Sequence, residues 1–283
     1  MSLIPKVAGV CGWPIHHSLS PVLHSYWLKQ LGVAGAYIPF AVDPVGAVEA
    51  FRSLKHTTLA GVNVTLPLKR AAFEAGDVAT DDAAKLGVAN CLYKSRGQLV
   101  AHNTDLEGFI APLITRLGVP HLQNMSALVV GAGGASRAVL GALLSVGVPE
   151  ICLVNRTDAK AQALVDAVNV PSLYALPWAQ RAEAISRAGL IVNASAAGMS
   201  GKPALDLDLD AAPAGGLVYD LIYTPRVTPL MAAAETRGLD TLGGLEMLIA
   251  QARPSFKLFF GQLPPQELDP TQTLLDALET GRR

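Results

Sequence analysis

Short apolar runs and amphipathic stretches alternate along the first third of the chain. The apolar runs predict strands over residues 7–11, 36–42, 60–65, 88–93 and 98–102. Between the first two strands, apolar residues spaced three and four apart predict a helix over 21–31. Ser20 is its predicted N-cap, Pro21 its first helical residue and Gly32 its stop. A further helical stretch is predicted after Pro44.

A second series of alternating elements begins near Ser126. Strands are predicted over 127–130, 150–154, 190–193 and 217–222, and helices over 135–146 and 159–168. The chain from Leu245 onward reads as helix, with a break or kink expected at Pro254. Such alternation predicts an α/β fold with parallel sheets, and a domain boundary falls near residues 105–112. The C-terminal helices have no strand beside them, so we expect them to return to the first domain.

Composition agrees with a compact α/β protein that has no unusual charge. Of 283 residues, 51% are hydrophobic and 16% are charged, and the formal net charge is −1. The chain therefore shows no electrostatic footprint for nucleic acid or for an anionic membrane. The longest apolar stretch, 127–154, is interrupted by Arg137 and Glu150, which argues against a membrane span.

The cysteines and the N-terminus indicate a cytoplasmic protein. Cys11, Cys91 and Cys152 lie far apart in apolar contexts, which predicts buried free thiols in a reducing compartment. The N-terminus makes a poor signal peptide. His16 and His17 have no acidic or thiol partner at ligand spacing, and neither has His24, so we predict no metal site and expect packing or pocket-rim histidines.

A glycine-rich turn lies between a predicted strand and a predicted helix, where backbone N–H groups and a helix N-terminus bind phosphate. It contains Gly131, Gly133 and Gly134, and Ser136 stands where a third spaced glycine is usual in dinucleotide sites. The alternative is that this turn merely packs a helix against its strand.

The next strand runs into residues that favour one form of the dinucleotide. An NAD site usually offers an acidic residue to the ribose hydroxyls at this point, whereas this chain offers Asn155, Arg156 and Thr157, with Lys160 following. A guanidinium pairs with a 2′-phosphate that a carboxylate would repel, so NADP is predicted rather than NAD. A solvated Arg156 is the alternative.

Small polar side chains and one cation in the first third suit a polyhydroxylated, anionic small molecule. They are Ser18, Ser20, Asn63, Thr65 and Lys69. Strand alternation predicts Asn63 and Thr65 on one face, and ligands lie beyond the carboxyl ends of strands in open α/β sheets. Together with the dinucleotide turn, this polar set predicts hydride transfer between the two halves.

Asn90 and Asp105 lie near further strand ends and extend this polar set. Reduction of a ketone needs a proton donor for the developing alkoxide, and a lysine beside a carboxylate can act as one. Lys69 and Asp105 are the predicted pair, and two ordinary surface residues are the alternative.

Several motifs together resemble the shikimate dehydrogenase family over nearly the whole length of the chain. They are the run from Gly12 to Pro21, Asn63 to Lys69, Asn103-Thr104-Asp105, Asn155-Arg156-Thr157, Asn193-Ala194-Ser195, Tyr219-Asp220 with Tyr223, and Gly244 through Gln251. Their order is also that of the family. The resemblance implies NADPH-dependent reduction of 3-dehydroshikimate to shikimate, an oxidoreductase activity in aromatic amino-acid biosynthesis.

The resemblance also implies residue roles. Ser18 and Ser20 would hold the substrate carboxylate with Tyr223 on the same side, and Lys69 with Asp105 would form the catalytic pair. The ring hydroxyls would be held by Asn63, Thr65, Asn90, Asp105 and Gln251. The cofactor would be contacted by Gly131, Ala132, Gly133, Gly134, Ala135, Asn155, Arg156, Thr157, Lys160, Ser195, Leu221, Gly244 and Met247.

The family fold implies an N-terminal α/β substrate domain over 1–105, completed by the helices of 245–283, and a Rossmann NADP-binding domain over 106–244. His102 stands where the family often has an acidic residue, which leaves substrate choice open. Two alternatives stay in view: a quinate/shikimate dehydrogenase using NAD or NADP, and a catalytically silent NADP-binding regulator. The oligomeric state is also open, with a homodimer as one expectation.

Overall fold

Two six-stranded sheets organise the protein, a computed structural model that describes residues 5–281. One unit comprises the chain up to Asp105 together with the chain from Leu248 onward, and the other comprises Leu106–Met247. The second boundary lies three residues beyond the predicted 244/245. Residues 1–4 and 282–283 of the predicted substrate domain lie outside the described residues.

The first unit contains ten elements before Asp105. Its strands are β1 (Lys6–Gly12), β2 (Gly35–Ala41), β3 (Gly61–Val64), β4 (Val78–Ala79), β5 (Cys91–Ser95) and β6 (Gln98–His102), and its helices are α1 (Ser20–Gln30), α2 (Ala47–Arg52), α3 (Lys69–Ala75) and α4 (Asp81–Leu86). The five predicted strands and the first two helices are confirmed. The sequence pattern missed β4, α3 and α4, which are short elements of two to seven residues.

The sheet of this unit is mixed, which corrects the expectation of a parallel sheet. Its order is β2-β1-β3-β5-β6-β4. β1 pairs in parallel with β2 and β3, whereas β5 runs antiparallel to both β3 and β6. A two-residue turn between β5 and β6 permits only the antiparallel arrangement, because a parallel pair needs a long crossover.

Helix α1 begins one residue earlier than predicted, and Ser20 is not its cap. Leu19 occupies the N-cap position without a side-chain hydrogen bond. The backbone N–H of Ser20 instead donates to Ser18 Oγ at 3.3 Å. The buried face includes His24, Trp27 and Leu28, so the histidine packs in the core among apolar side chains.

The second unit largely alternates strands and helices, although β10 is followed directly by β11. After α5 (Asp105–Leu117) and α6 (Val119–Leu122) come β7 (Ser126–Val130), α7 (Gly134–Ser145), β8 (Glu150–Val154), α8 (Asp158–Val168), β9 (Leu173–Ala175), α9 (Arg181–Arg187), β10 (Leu190–Asn193), β11 (Leu217–Asp220), α10 (Pro229–Thr236) and β12 (Asp240–Leu242). All its strand pairs are parallel, in the order β12-β11-β10-β7-β8-β9. This is a Rossmann arrangement. Both faces of the sheet are covered, by one cluster around Phe109 and Leu143 and another around Ile185 and Leu230.

The last helices are α11 (Gly244–Phe260) and α12 (Thr271–Thr280). Of the break or kink predicted at Pro254, the break is wrong, because α11 continues through the proline as one helix. Arg253 fixes the segment that follows: its guanidinium donates to the carbonyls of Pro264 and Pro265 at 2.8 and 2.6 Å. The Trp27 indole N–H donates to Leu268 O at 2.9 Å, which ties the same segment to α1.

The three cysteines are buried and free, as predicted. Burial raises the pKa of the Cys11 and Cys91 thiols to about 12, so both stay protonated near neutral pH. Among residues 5–281, no helix combines the length and apolar character needed to cross a membrane.

Candidate functional site

Polar residues from three parts of the first unit meet at one edge of its sheet, where β3 ends. The antiparallel hairpin that β5 and β6 form brings them together there. β3 runs toward this edge and ends at Val64, whereas β5 starts from it. The N–H of Val64 donates to the carbonyl of Asn90, which immediately precedes β5, at 2.8 Å. β6 then returns to the same edge, since Cys91 pairs with His102. Asn90 and Asp105 therefore lie beside the carboxyl end of β3.

Lys69 and Asp105 form an ion pair at this edge. Lys69 Nζ lies 2.6 Å from Asp105 Oδ2, and their side chains are only 18% and 10% exposed. Lys69 is the first residue of α3, after the turn that ends β3. The surface-residue alternative is wrong for both, because each side chain is largely removed from solvent and contacts the other.

Asn90 fixes the other carboxylate oxygen. Its Nδ2 donates to Asp105 Oδ1 at 2.8 Å and to Thr104 Oγ1 at 3.0 Å, and its Oδ1 accepts from the Thr104 N–H at 2.8 Å. Asn103 Oδ1 accepts from the Asp105 N–H at 2.9 Å. With both carboxylate oxygens and its backbone bonded, Asp105 is held in one orientation.

Asn63 lies in a buried network beneath this pair. Its Nδ2 donates to Ser255 Oγ at 2.8 Å and to the carbonyl of Asn90 at 3.2 Å, while its Oδ1 accepts from the Tyr37 hydroxyl at 2.8 Å. Both amide hydrogens are thereby engaged within the protein. Burial raises the pKa of Tyr37, so its hydroxyl stays a donor.

Gln251, on α11, joins the network from the C-terminal part of the chain. Its Oε1 accepts from Thr104 Oγ1 at 3.3 Å and lies 3.5 Å from Asn90 Nδ2. The sequence interpretation missed Tyr37, Thr104 and Ser255 as members. Thr104 stands within a quoted motif, but Tyr37 and Ser255 have no local signal, because only the fold brings them to Asn63.

Of the remaining predicted substrate residues, three belong to the first unit and one belongs to the second. Ser18 is half-buried and Ser20 is buried at the start of α1, in the loop and helix that follow β1. Thr65 follows β3, and its N–H donates to the Cys11 carbonyl at 2.9 Å. Tyr223, by contrast, belongs to the second unit, where it follows β11 and is half-buried.

The glycine-rich turn of the second unit joins β7 to α7. Gly131 has a φ of +113°, and a Cβ there would stand 3.1 Å from Ala194 C and Ser195 N. A Cβ on Gly133 or Gly134 would meet no protein atom within 4 Å. Ser136 Oγ accepts from the Gly133 N–H at 3.2 Å, so this serine closes the turn where a third glycine is usual. Space remains over the first turn of α7, which also contains Ala135.

Asn155 connects this turn to the next strand. Its Oδ1 accepts from the Ala132 N–H at 3.2 Å, and its Nδ2 donates to the Thr157 carbonyl at 2.9 Å. Asn155 therefore shapes the turn and holds the chain that carries Arg156. Within the described part of the chain, the guanidinium of Arg156 is exposed and has no hydrogen-bond or ion-pair partner.

A cleft of about 520 Å³ opens beside these residues within the second unit. It is lined by Val130, Gly131, Asn155, Arg156, Trp178, Ser195, Ala196, Ala197, Lys202, Pro203, Ala204, Leu205 and Asp206. Thr157 and Lys160, which were predicted to contact the cofactor, are exposed and do not line it. The sequence interpretation missed Trp178 and Lys202, which lie outside every motif that it used.

Ser195 is linked through Asn193 to the buried carboxylate of Asp220, which immediately precedes Leu221. Asp220 Oδ1 accepts from Asn193 Nδ2 at 3.0 Å, and Ser195 Oγ donates to Asn193 Oδ1 at 2.7 Å. Burial raises the pKa of Asp220. A Cβ on Gly244 would lie 2.3 Å from Leu221 O, so only glycine fits at the start of α11. Met247 is half-buried one turn later on α11.

These features of the second unit fit a phosphorylated dinucleotide. Gly133 and Gly134 leave open space at the N-terminus of α7, which suits a pyrophosphate. Arg156 provides an unpaired cation at the end of the adjacent strand, which suits a further phosphate. No group of three or more metal-ligating side chains occurs among the residues that the structure describes.

Known families match three parts of the chain. Residues 10–92 match the shikimate dehydrogenase substrate-binding domain, residues 114–200 match shikimate/quinate 5-dehydrogenase, and residues 244–268 match the shikimate 5′-dehydrogenase C-terminal domain. The shikimate dehydrogenase (NADP(+)) of Paracoccus denitrificans is 42% identical over 272 residues, covering 95% of each chain.

Solved structures agree with this match. The shikimate 5-dehydrogenase of Thermus thermophilus, solved with NADP(H) and shikimate, is 34% identical with a TM-score of 0.84, covering 97% of this chain and 99% of the other. The quinate dehydrogenase of Corynebacterium glutamicum, solved with NAD, is 27% identical with a TM-score of 0.85, covering 97% and 99%. Because sequence and fold agree over nearly its whole length, the chain belongs to the shikimate dehydrogenase family.

Proposed function

We propose that this protein catalyses the reversible, NADPH-dependent reduction of 3-dehydroshikimate to shikimate, within the biosynthesis of aromatic amino acids. The observation that carries the proposal is the Lys69–Asp105 pair, with its atoms 2.6 Å apart in a polar, largely buried setting. The names of the curated relatives, shikimate dehydrogenase (NADP(+)), support the substrate and the cofactor.

Lys69 supplies the proton in this reaction. The bound NADPH provides the hydride that reduces the ketone carbon. Lys69 Nζ donates a proton to the oxygen of that ketone as negative charge develops there, and Asp105 Oδ2 keeps the ammonium aimed and charged. In the oxidation direction, the neutral amine of Lys69 takes up the proton from the substrate hydroxyl, and Asp105 stabilises the ammonium that forms.

The polar residues around the pair hold the substrate. Asn90, Thr65 and Gln251 offer amide and hydroxyl groups to the ring hydroxyls, and Ser18 with Ser20 binds the carboxylate. Asn63 contributes chiefly through the free lone pair on its Oδ1, because its two amide hydrogens already reach Ser255 and Asn90. Tyr223 is assigned to the carboxylate side on the family resemblance.

The second unit holds the cofactor. Residues 131–135 receive the pyrophosphate, and Asn155 with Arg156 binds the adenosine end. Gly244 and Met247 are assigned to the nicotinamide end on the family resemblance, and Ser195 and Leu221 to the cofactor without a stated end. The contacts of Thr157 and Lys160 with the cofactor stay predictions that rest on the motif alone. The two units then act as the substrate-binding and the NADP-binding domains.

The test is a matrix of four initial rates, with shikimate and quinate each oxidised by NADP and by NAD. Activity with shikimate and NADP alone supports the proposal. Comparable quinate turnover or comparable NAD use would assign the chain to the broader quinate/shikimate activity. Absence of all four activities in a protein that still binds NADPH would leave only the silent regulator.

Cellular location and oligomeric state are two further proposals, and fewer observations support them. We infer a cytoplasmic location from three buried free thiols and a biosynthetic activity. Fractionation of the native host, with the protein recovered from the cytosolic fraction, is its test. The expected homodimer is tested by sedimentation of the purified protein across a hundredfold range of concentration.

A further inference from the structure

Two unpaired cations line the cleft of the second unit. Arg156 follows β8, and Lys202 lies in the loop after β10. Neither side chain has a hydrogen-bond or ion-pair partner within residues 5–281. The acidic residue of the lining, Asp206, is already bonded to Arg181 at 2.7 Å. The cleft therefore presents two unsatisfied positive charges and one neutralised negative charge, which suits an anion.

The loop that carries Lys202 is closed by its own backbone hydrogen bonds. The Gly198 N–H donates to Pro203 O at 2.7 Å, and the Lys202 N–H donates to Met199 O at 2.8 Å. The Ser200 N–H donates to Thr224 O at 3.0 Å, which ties the loop to the chain after β11. The backbone of Lys202 is thus positioned at the cleft, and only its side chain has to be ordered by a ligand.

The order of the strands suits an adenosine in this cleft. Gly131 follows β7, Arg156 follows the neighbouring β8, and Trp178 comes soon after β9, so the strands that lead to the glycine turn and to the tryptophan are two strand spacings, about 10 Å, apart. The Trp178 ring is flanked by the Arg181 guanidinium, with its carbon 4.8 Å from the ring centroid. An aromatic wall at this distance from the phosphate turn suits an adenine, which leaves the ribose beside Arg156.

We propose that Lys202 is a second cation for the adenosine 2′-phosphate and that, with Arg156, it determines the preference for NADP. This inference rests on the proposed function, since it concerns the same cofactor. Lys160 of the predicted motif does not line the cleft, and it is the rival cation for this role. A phosphomonoester carries close to two negative charges near neutral pH, so it pairs with both cations at once.

Isothermal titration of adenosine 2′,5′-bisphosphate and of 5′-AMP tests this without measuring turnover. The two probes differ only in the 2′-phosphate. The wild-type protein is expected to bind the bisphosphate more tightly. Lys202→Ala should weaken bisphosphate binding roughly tenfold, as expected for a charge-assisted contact, and leave 5′-AMP affinity within about twofold. Lys202→Arg should retain most of the preference.

Two further variants make the result specific. Lys85→Ala removes an equal charge from the exposed surface of α4 in the other unit, and it should change neither affinity. Lys160→Ala tests the rival lysine, and its effect should be clearly smaller than that of Lys202→Ala. Retained 5′-AMP binding also shows that each variant is folded around the cleft.

A result that contradicts the proposed function differs from one that contradicts the role of Lys202. If wild-type protein binds both probes equally, the NADP preference itself is wrong, and the proposed function fails in its cofactor. If the wild-type preference is intact but Lys202→Ala keeps it, the assignment of Lys202 is wrong while NADP use stands. Loss of the preference in Lys160→Ala with its retention in Lys202→Ala would return the role to the motif lysine.

Discussion

Asn90 and Asp105 are joined by a hydrogen bond of 2.8 Å from Asn90 Nδ2 to Asp105 Oδ1, which leaves Oδ2 for Lys69. A carboxylate bonded on both oxygens has little freedom to rotate, so it holds the lysine ammonium in one place. This arrangement depends on β5 running antiparallel to β3, since that direction brings residue 90 to the end of the sheet where Lys69 lies.

Lys69→Ala is expected to lower kcat by about a hundredfold or more, because the variant loses the proton donor of the transition state. KM for shikimate should change only a few-fold. Steady-state kinetics of shikimate oxidation measure both constants. Lys85→Ala is the matched control and should retain full turnover. An unchanged kcat in Lys69→Ala would remove this lysine from the mechanism.

Arg156→Ala should weaken NADPH binding roughly tenfold or more, because it removes a charge-assisted contact to the 2′-phosphate. NADH has no such phosphate, so its affinity should stay nearly unaltered and serves as the internal control. Fluorescence titration with both cofactors gives the two dissociation constants. Equal weakening of NADPH and NADH would show that Arg156 supports the cleft generally and does not recognise the phosphate.

Gly133→Ala and Gly131→Ala separate the binding role of the turn from its folding role. Gly133 has a φ of −96° and open space around its missing Cβ, so an alanine should leave the Tm close to wild type. The methyl group would nevertheless occupy the space assigned to the pyrophosphate and weaken NADPH binding.

Gly131→Ala differs because its φ is +113° and its Cβ would press on the backbone of Ala194 and Ser195. It should cost about 1–3 kcal/mol of unfolding free energy. Thermal unfolding and NADPH titration of both variants make the comparison. Normal NADPH affinity in a folded Gly133→Ala protein would contradict a pyrophosphate at this turn.

The burial of His24 predicts that the protein is less stable in acid. Its ring is buried, stacks on Tyr37 with centroids 3.9 Å apart, and leaves both ring nitrogens without hydrogen-bond partners among the described residues. Burial lowers the pKa of His24 from 6.5 to about 3. Below pH 6.5 the imidazole of His24 is protonated in the unfolded chain but stays neutral in the folded chain. The contribution of this group to the unfolding free energy is therefore complete above pH 6.5 and is lost as the pH falls toward 3.

The measurement is urea unfolding between pH 4.5 and 7.5. His24→Phe keeps an aromatic ring and removes the proton site. The unfolding free energy of wild type should therefore fall more steeply than that of the variant, by up to about 1.4 kcal/mol per pH unit below 6.5. His56→Phe, at an exposed position of the same unit, should keep the wild-type slope. Parallel curves for wild type and His24→Phe would contradict a neutral buried histidine.

Local patterns were sufficient for most of the elements, and they also named the principal candidate site residues. Strand periodicity predicted β3, and glycines followed by a helical pattern predicted the turn before α7, because backbone conformation and hydrophobic alternation act over a few neighbouring residues. The same patterns misplaced the cap of α1 and a break at Pro254. A helix that is packed along its length tolerates such local penalties, since its burial outweighs them.

The direction of β5 and the residues that it brings together could not be predicted from local sequence patterns. Residues with strong local chemistry, such as Lys69, Asp105 and Arg156, could be named from motif and spacing alone. Tyr37 and Ser255 reach Asn63 across 26 and 192 positions of sequence, and Lys202 lines the cleft of Arg156 from a separate loop. Such contacts arise from the packing of distant segments. A residue's neighbours along the chain therefore specify its element, whereas its hydrogen-bond partners and its access to the cleft depend on how those elements pack.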